Sequence, residues 1–152
     1  MAGLGTNARL DLSLLLIRVV FGLQLALLHG FGKWQSLLAG ATRFPDPLGI
    51  GSRNSLIGAT LGEFICGLLL AAGLAGRIAA AGMGFTMAVA VFMVHANDPW
   101  AKKELAILFL TAAVIVLIAG SGRWSFDSIV WPRVRGTFGG KGGGGARRRA
   151  DT

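Results

Sequence analysis

The sequence predicts an all-α, polytopic membrane protein: a four-helix bundle with both termini on the cytoplasmic side. Composition is the first observation, because 53% of the 152 residues are hydrophobic, only 14% are charged and the mean hydropathy is +0.64, outside the range of soluble globular domains. The second is four apolar runs, Leu12 to Leu28, Leu56 to Ala75, Ile78 to Val94 and Leu105 to Ala119. Each approaches the ~20 residues that cross ~30 Å of hydrocarbon as a helix. The third is the placement of Lys and Arg. With the N-terminus inside, Arg9, Arg77, Arg123 and the tail cations Arg133, Arg135, Lys141 and Arg147 to Arg149 lie inside, against Lys33, Arg43, Arg53, Lys102 and Lys103 outside.

The elements follow in order. An N-terminal arm, 1–11, leads into a helix at about 12–29, in which Asp11, Arg18 and Gln24 argue against a cleaved signal peptide. In "TRFPDPLGIGSRNS", Pro45 and Pro47 forbid a continuing helix, and Phe44, Leu48 and Ile50 suggest a loop folded back on the outer surface. Further helices at about 56–75, 78–96 and 104–120 complete a membrane domain over 12–127. Small residues at four-residue spacing, Gly58-Gly62-Cys66 and Ala80-Gly84-Ala88, mark expected helix contacts. Trp34 and Trp100 fall at outer helix ends, and Trp124 and Trp131 follow the last helix, as interfacial anchors do. The stretch 128–152 is a basic, Gly/Arg-rich cytoplasmic tail, and the formal charge of +8 reads as attraction to an acidic leaflet of the lipid bilayer.

Several function classes are excluded. Gly140-Lys141 lacks the Ser or Thr of a phosphate loop, and the tail lacks the aromatic pattern of a specific nucleic-acid binder. Cys66 is the only cysteine, so no internal disulfide and no iron–sulfur or zinc spacing exists and no metal ligand set is expected.

Ionisable residues within a bilayer cost at least ~2.5–3.5 kcal/mol each, so they face inward, pair, and mark a site. At 100° per residue, Arg18, Gly22, Leu25, His29 and Lys33 form one stripe on the first helix. Glu63 is expected near the level of His29 and His95, and Glu104 begins a stripe on the fourth helix, so each helix brings a polar group toward the outer leaflet. The candidate catalytic residues are Glu63, His29 and His95. The candidate ligand-binding residues are Arg18, His29, Lys33, Glu63, His95 and Glu104. The competing structural reading makes His29, Lys33, His95 and Glu104 interfacial helix caps and Glu63 internal glue.

The segments "LLLIRVVFGLQLALLHGFGK", "LGEFICGLLLAAGLAGRIAA", "FMVHANDPWAKKELAILFL" and "GSGRWSFD" resemble the DoxX-like family of small bacterial membrane proteins across about residues 12–127. The resemblance implies a multi-pass protein of the bacterial cytoplasmic membrane, with relatives described as subunits of quinone-linked oxidoreductases. A quinone suits the residues: its carbonyls need donors such as His29, His95 or Lys33, and its reduction needs protons that Glu63 or a histidine relays. The chain has no flavin or dinucleotide motif, so a redox role requires a redox partner protein, and the chain could also form a homo-oligomer. A bis-histidine haem is disfavoured because both histidines fall near the membrane edge. The alternatives are a non-catalytic assembly subunit and a small proton or anion relay.

Overall fold

The computed structural model describes residues 6–128. The expectations for the basic tail, including its lipid-facing role, lie outside the described residues apart from Ser128. Within them four helical rods run up and down. Here α1 is Asn7–Leu38, α2 Ser52–Ala72 and α3 Gly76–Val94, and all three are long and apolar enough to cross a membrane. The fourth, α4, is Trp100–Ala119 and carries Lys102, Lys103 and Glu104 in its opening turns. The rods close a ring in which each packs on its sequence neighbours and α1 meets α4. The 39–51 loop marks the upper end, and the 120–127 segment marks the lower.

The rods differ at their ends from the 12–29, 56–75, 78–96 and 104–120 expected. Gly30 and Gly32 do not stop α1, which continues to Leu38 because its upper part packs on α2. Gly73, at φ +69, caps α2 in the left-handed conformation after Ala72, three residues short of the expected end at Ala75.

Three rods also carry a π turn, Leu25–Gly30 in α1, Leu61–Ile65 in α2 and Ala90–Val94 in α3. Each is closed by an amide reaching back five residues, such as Phe31 to Ala26 and His95 to Ala90. Those of α1 and α3 lie in the upper half of their rods and that of α2 lies at its middle, and the π turns of α1 and α2 touch.

Small residues set the spacing. A Cβ on Gly22 would stand 2.6 Å from the Gly67 carbonyl oxygen and 2.9 Å from the Ala71 amide, and one on Gly30 would stand 2.5 Å from the Phe64 amide, so α1 and α2 touch backbone to backbone. Of the motifs expected from spacing, Gly62 and Cys66 face Thr86 and Gly82 of α3, and Gly84 meets Ala113 and Leu110 of α4, but Gly58 meets nothing within 4 Å. Leu25, Leu70, Met83, Met87, Phe109 and Val116 fill the centre. Leu28, Ile78, Phe85, Phe92 and Ile118 stay exposed on the outside, as lipid-facing side chains do.

The lower end is locked by polar groups. Ala75, at φ +49, opens α3, and the Asp127 carboxylate accepts hydrogen bonds from the Ala75 amide (2.7 Å), the Gly76 amide (2.9 Å) and the Ser121 hydroxyl (2.9 Å). Burial raises the Asp127 pKa, but those donors and the Arg18 charge outweigh it and hold the carboxyl below its ordinary value. Asp11 accepts from the Arg123 amide at 2.9 Å, tying α1 to the same segment.

Gly22→Val is expected to destabilise the protein in detergent by about 1–3 kcal/mol or more through overpacking. Gly32→Ala, whose Cβ meets nothing within 4 Å, should be neutral or stabilising by up to ~1 kcal/mol. Thermal unfolding of both variants checks the glycine seam. Asp127→Asn should cost about 1 kcal/mol as a lost helix cap. Because the folded-state pKa is depressed, this stabilisation is present above the unfolded carboxylate range and is lost as pH falls through the folded value; a pH series of Tm comparing wild type with Asp127→Asn should converge in acid.

Candidate functional site

The close approach at Gly30 places α1 beside α2 one turn below Lys33, and Lys33 Nζ reaches Glu63 Oε2 at 2.5 Å. Glu63 sits inside the π turn of α2 and is 7% exposed, whereas the Lys33 side chain is 24% exposed. Lys33 also lies 3.5 Å from the His29 carbonyl oxygen, so the ammonium is held by one carboxylate and one backbone acceptor.

This pair borders a cavity of about 490 Å³ between α2 and α3. Gly58, Ala59 and Gly62 on one side and Gly82 and Ala90 on the other have no bulk to fill it, while Leu61, Phe85 and Val89 make the wall apolar. The loop covers it with Phe44, Pro45, Pro47, Leu48 and Ile50, as expected of a segment folded back on the bundle. The Asp46 carboxylate latches that loop, accepting from the Ser55 hydroxyl (2.6 Å) and the amides of Ile50 (3.0 Å) and Gly51 (2.8 Å). The Ser55 hydroxyl is the largest of the influences that lower the Asp46 pKa.

His95 lines the same cavity at the end of the π turn of α3. Its Nδ1 is 2.8 Å from Asp98 Oδ2, and Lys102 Nζ is 3.5 Å from the other Asp98 oxygen. The hydrogen bond from His95, assisted by the charge of Lys102, holds the Asp98 carboxyl below its ordinary value.

The structure therefore brings together Lys33, Glu63 and His95 and separates them from the other candidates. Arg18 is fully buried near the lower end, where its Nη2 donates to the Trp124 carbonyl at 2.6 Å and its guanidinium fills the space a side chain at Gly73 would need. The 15 residues to Lys33 correspond to ~22 Å of helix rise. Helical side chains also lean toward their N-terminus, which takes Arg18 farther from the cavity. Of the expected stripe on α1, Gly22 and Lys33 both face α2, whereas His29, inside the π turn at Leu25–Gly30, faces α4. His29 does not line the cavity; it packs edge-on against Phe109 of α4, with ring centroids 5.9 Å apart. Glu104 is exposed on α4 and does not border the cavity either.

Sequence reasoning missed Asp98 as the partner of His95. The signal was present in "HANDP", where a carboxylate three residues after a histidine precedes a helix-starting proline. Cys66, read as packing, also borders the cavity.

Removing one member of the buried pair should cost more than removing both. Lys33→Met is expected to destabilise by about 3 kcal/mol because it strands Glu63, while Lys33→Met with Glu63→Met should recover most of the loss. Thermal unfolding of single and double variants in one detergent checks it.

The DoxX family model matches residues 13–96, which takes in α1, α2 and α3 with Lys33, Glu63 and His95. No curated protein and no solved structure matches the chain. The matched span covers more than half of the 152 residues, and its apolar, membrane-length helices agree with it. The chain is a membrane protein that belongs to the DoxX family.

Proposed function

We propose that the chain is the quinone-interacting subunit of a membrane oxidoreductase system in the bacterial cytoplasmic membrane. The observation that carries this reading is the cavity, an open apolar cleft of about 490 Å³ bordered by the Lys33–Glu63 pair and by His95. Its volume falls within the range of small-molecule sites, and a few convergent polar groups in an apolar wall are what such sites contain.

In this reading all four rods cross the bilayer and both termini are cytoplasmic. Lys102, Lys103 and Glu104 lie at the outer water interface, and Leu105 to Ala119 pass through the hydrocarbon. The upper loop then faces outward, while Arg77 and Arg123 face the cytoplasm.

The residues present fit a quinone head. When bound, a quinone supplies two-electron, two-proton redox chemistry. The Lys33 ammonium donates a hydrogen bond to a ligand oxygen, and Glu63, neutralising it, keeps a permanent charge tolerable beside lipid. His95, part-exposed at the rim, exchanges a proton with outer water. The apolar walls of α2 and α3 take the hydrocarbon tail. Electrons come from a redox partner protein, because the chain carries one cysteine and no flavin or dinucleotide motif. The pairing of Lys33 with Glu63 favours a second reading, an assembly subunit whose ion pair fixes helix register, but that reading gives the cavity no role.

A short-chain quinone titrated into the purified, detergent-solubilised protein should quench tryptophan fluorescence saturably after inner-filter correction. Trp34 is the expected reporter, stacked on Phe64 next to Glu63 with ring centroids 5.7 Å apart. Glu63→Gln should weaken binding about tenfold. Gly58→Leu, filling open space at the wall, should abolish it without loss of Tm. Absence of saturable binding in wild type would overturn the quinone reading in favour of the assembly subunit.

A further inference from the structure

We propose that Asp98 is a positioning residue: it fixes the ring proton of His95 on Nδ1, so that Nε2 is the nitrogen left for a ligand and accepts a hydrogen bond from a hydroxyl-bearing head. The inference deepens the reading of the cavity as a ligand site and rests on it.

The geometry comes from one turn of chain. His95 leaves α3 at φ −101, ψ 19, with its amide closing the π turn on Ala90, and the Asp98 amide donates back to the His95 carbonyl at 3.0 Å. Pro99 then caps α4. These bonds fold residues 95–98 so that Asp98 Oδ2 stands 2.8 Å from His95 Nδ1. An ionised carboxylate only accepts, so a hydrogen bond between the two requires the proton on Nδ1. Lys102, 3.5 Å from Asp98 Oδ1, favours that ionised state.

Whenever the ring is neutral, a proton held on Nδ1 leaves the second nitrogen as a lone pair. A carboxylate that holds one imidazole nitrogen and thereby defines the role of the other is a general device of histidine sites. The titratable side chains that border the cavity beside His95 are Lys33 of α1 and Glu63 and Cys66 of α2; the loop and the start of α2 add Arg43, Asp46 and Arg53, and the opening turns of α4 add Lys102, Lys103 and Glu104. Lys33 pairs with Glu63 through one of its three N–H groups, and Lys103 donates to the Ala96 carbonyl at 2.7 Å, so Asp98 is the group bonded to the ring. The cavity therefore has unlike poles, a donor ammonium at Lys33 and an acceptor nitrogen at His95. This arrangement selects a ligand that carries a hydroxyl as well as an acceptor oxygen.

The test starts with the full chain in detergent micelles, labelled with ¹⁵N-histidine. The sequence holds two histidines, and His29→Gln assigns them. At a pH where the rings are neutral, wild-type His95 should show a protonated Nδ1 and a bare Nε2. Asp98→Asn should shift the population toward protonated Nε2, and Asp98→Glu should restore at least part of the wild-type pattern. A protonated Nε2 in wild type, or an unchanged tautomer in Asp98→Asn, overturns the proposal.

Binding supplies a second readout with para-hexylphenol and its methyl ether, which differ in the hydroxyl proton. Wild type should prefer the phenol about tenfold, and the preference should collapse in Asp98→Asn although the ether's affinity is retained. Equal affinity for both in wild type overturns the acceptor role. Should the short-chain quinone fail to bind while the tautomer still depends on Asp98, the quinone reading falls and the positioning of His95 stands.

Discussion

Backbone contact between α1 and α2 is the constraint on which the rest of this structure depends. Lipid competes with apolar side chains for every helix surface, so association in a membrane relies on close packing more than on a hydrophobic drive. Gly22 against Gly67 and Gly30 against Phe64 provide that packing. The same approach brings Lys33, at the next turn, within reach of Glu63. A side chain at Gly30 would push the two rods apart at the level of the ion pair, so the seam positions the site as well as stabilising the bundle.

The polar groups fall into two sets with different work. At the lower end Arg18 holds the Trp124 carbonyl, Asp127 caps α3 and Asp11 holds the Arg123 amide, so two rods, α1 and α3, are bound to the segment after α4. At the upper end Lys33, Glu63 and His95 border open space, and the Asp46 latch holds an apolar loop above it. One set joins side chain to backbone, with Arg18 Nε and Nη1 buried without a hydrogen-bond partner among the described residues; the other surrounds a cavity lined by small residues. That difference, more than the identity of any single charge, marks the upper end as the place for chemistry.

The π turns connect the two themes. Each adds a residue to its rod, and together they occupy the level at which Glu63 and His95 enter the cavity or its rim. In α1 the turn contains His29 and directs its ring to Phe109 of α4, while Arg18 and Lys33 stand at opposite ends because 15 residues of helix rise separate them. In α3 it delivers His95 into the tight turn where Asp98 can reach its ring.

Composition and run length were enough to establish an all-helical membrane chain, because the thickness of hydrocarbon and the cost of unpaired backbone groups permit few other solutions for such a sequence. The same cost identified Glu63 and Arg18 as residues needing partners. Which partners they found was decided only in three dimensions. Lys33 rather than a histidine met Glu63, Trp124 met Arg18, His29 turned to Phe109, and Glu104 stayed on the surface. Helical periodicity assumes one pitch from end to end, whereas these pairings depend on three local departures from it and on the distance between glycines of neighbouring rods.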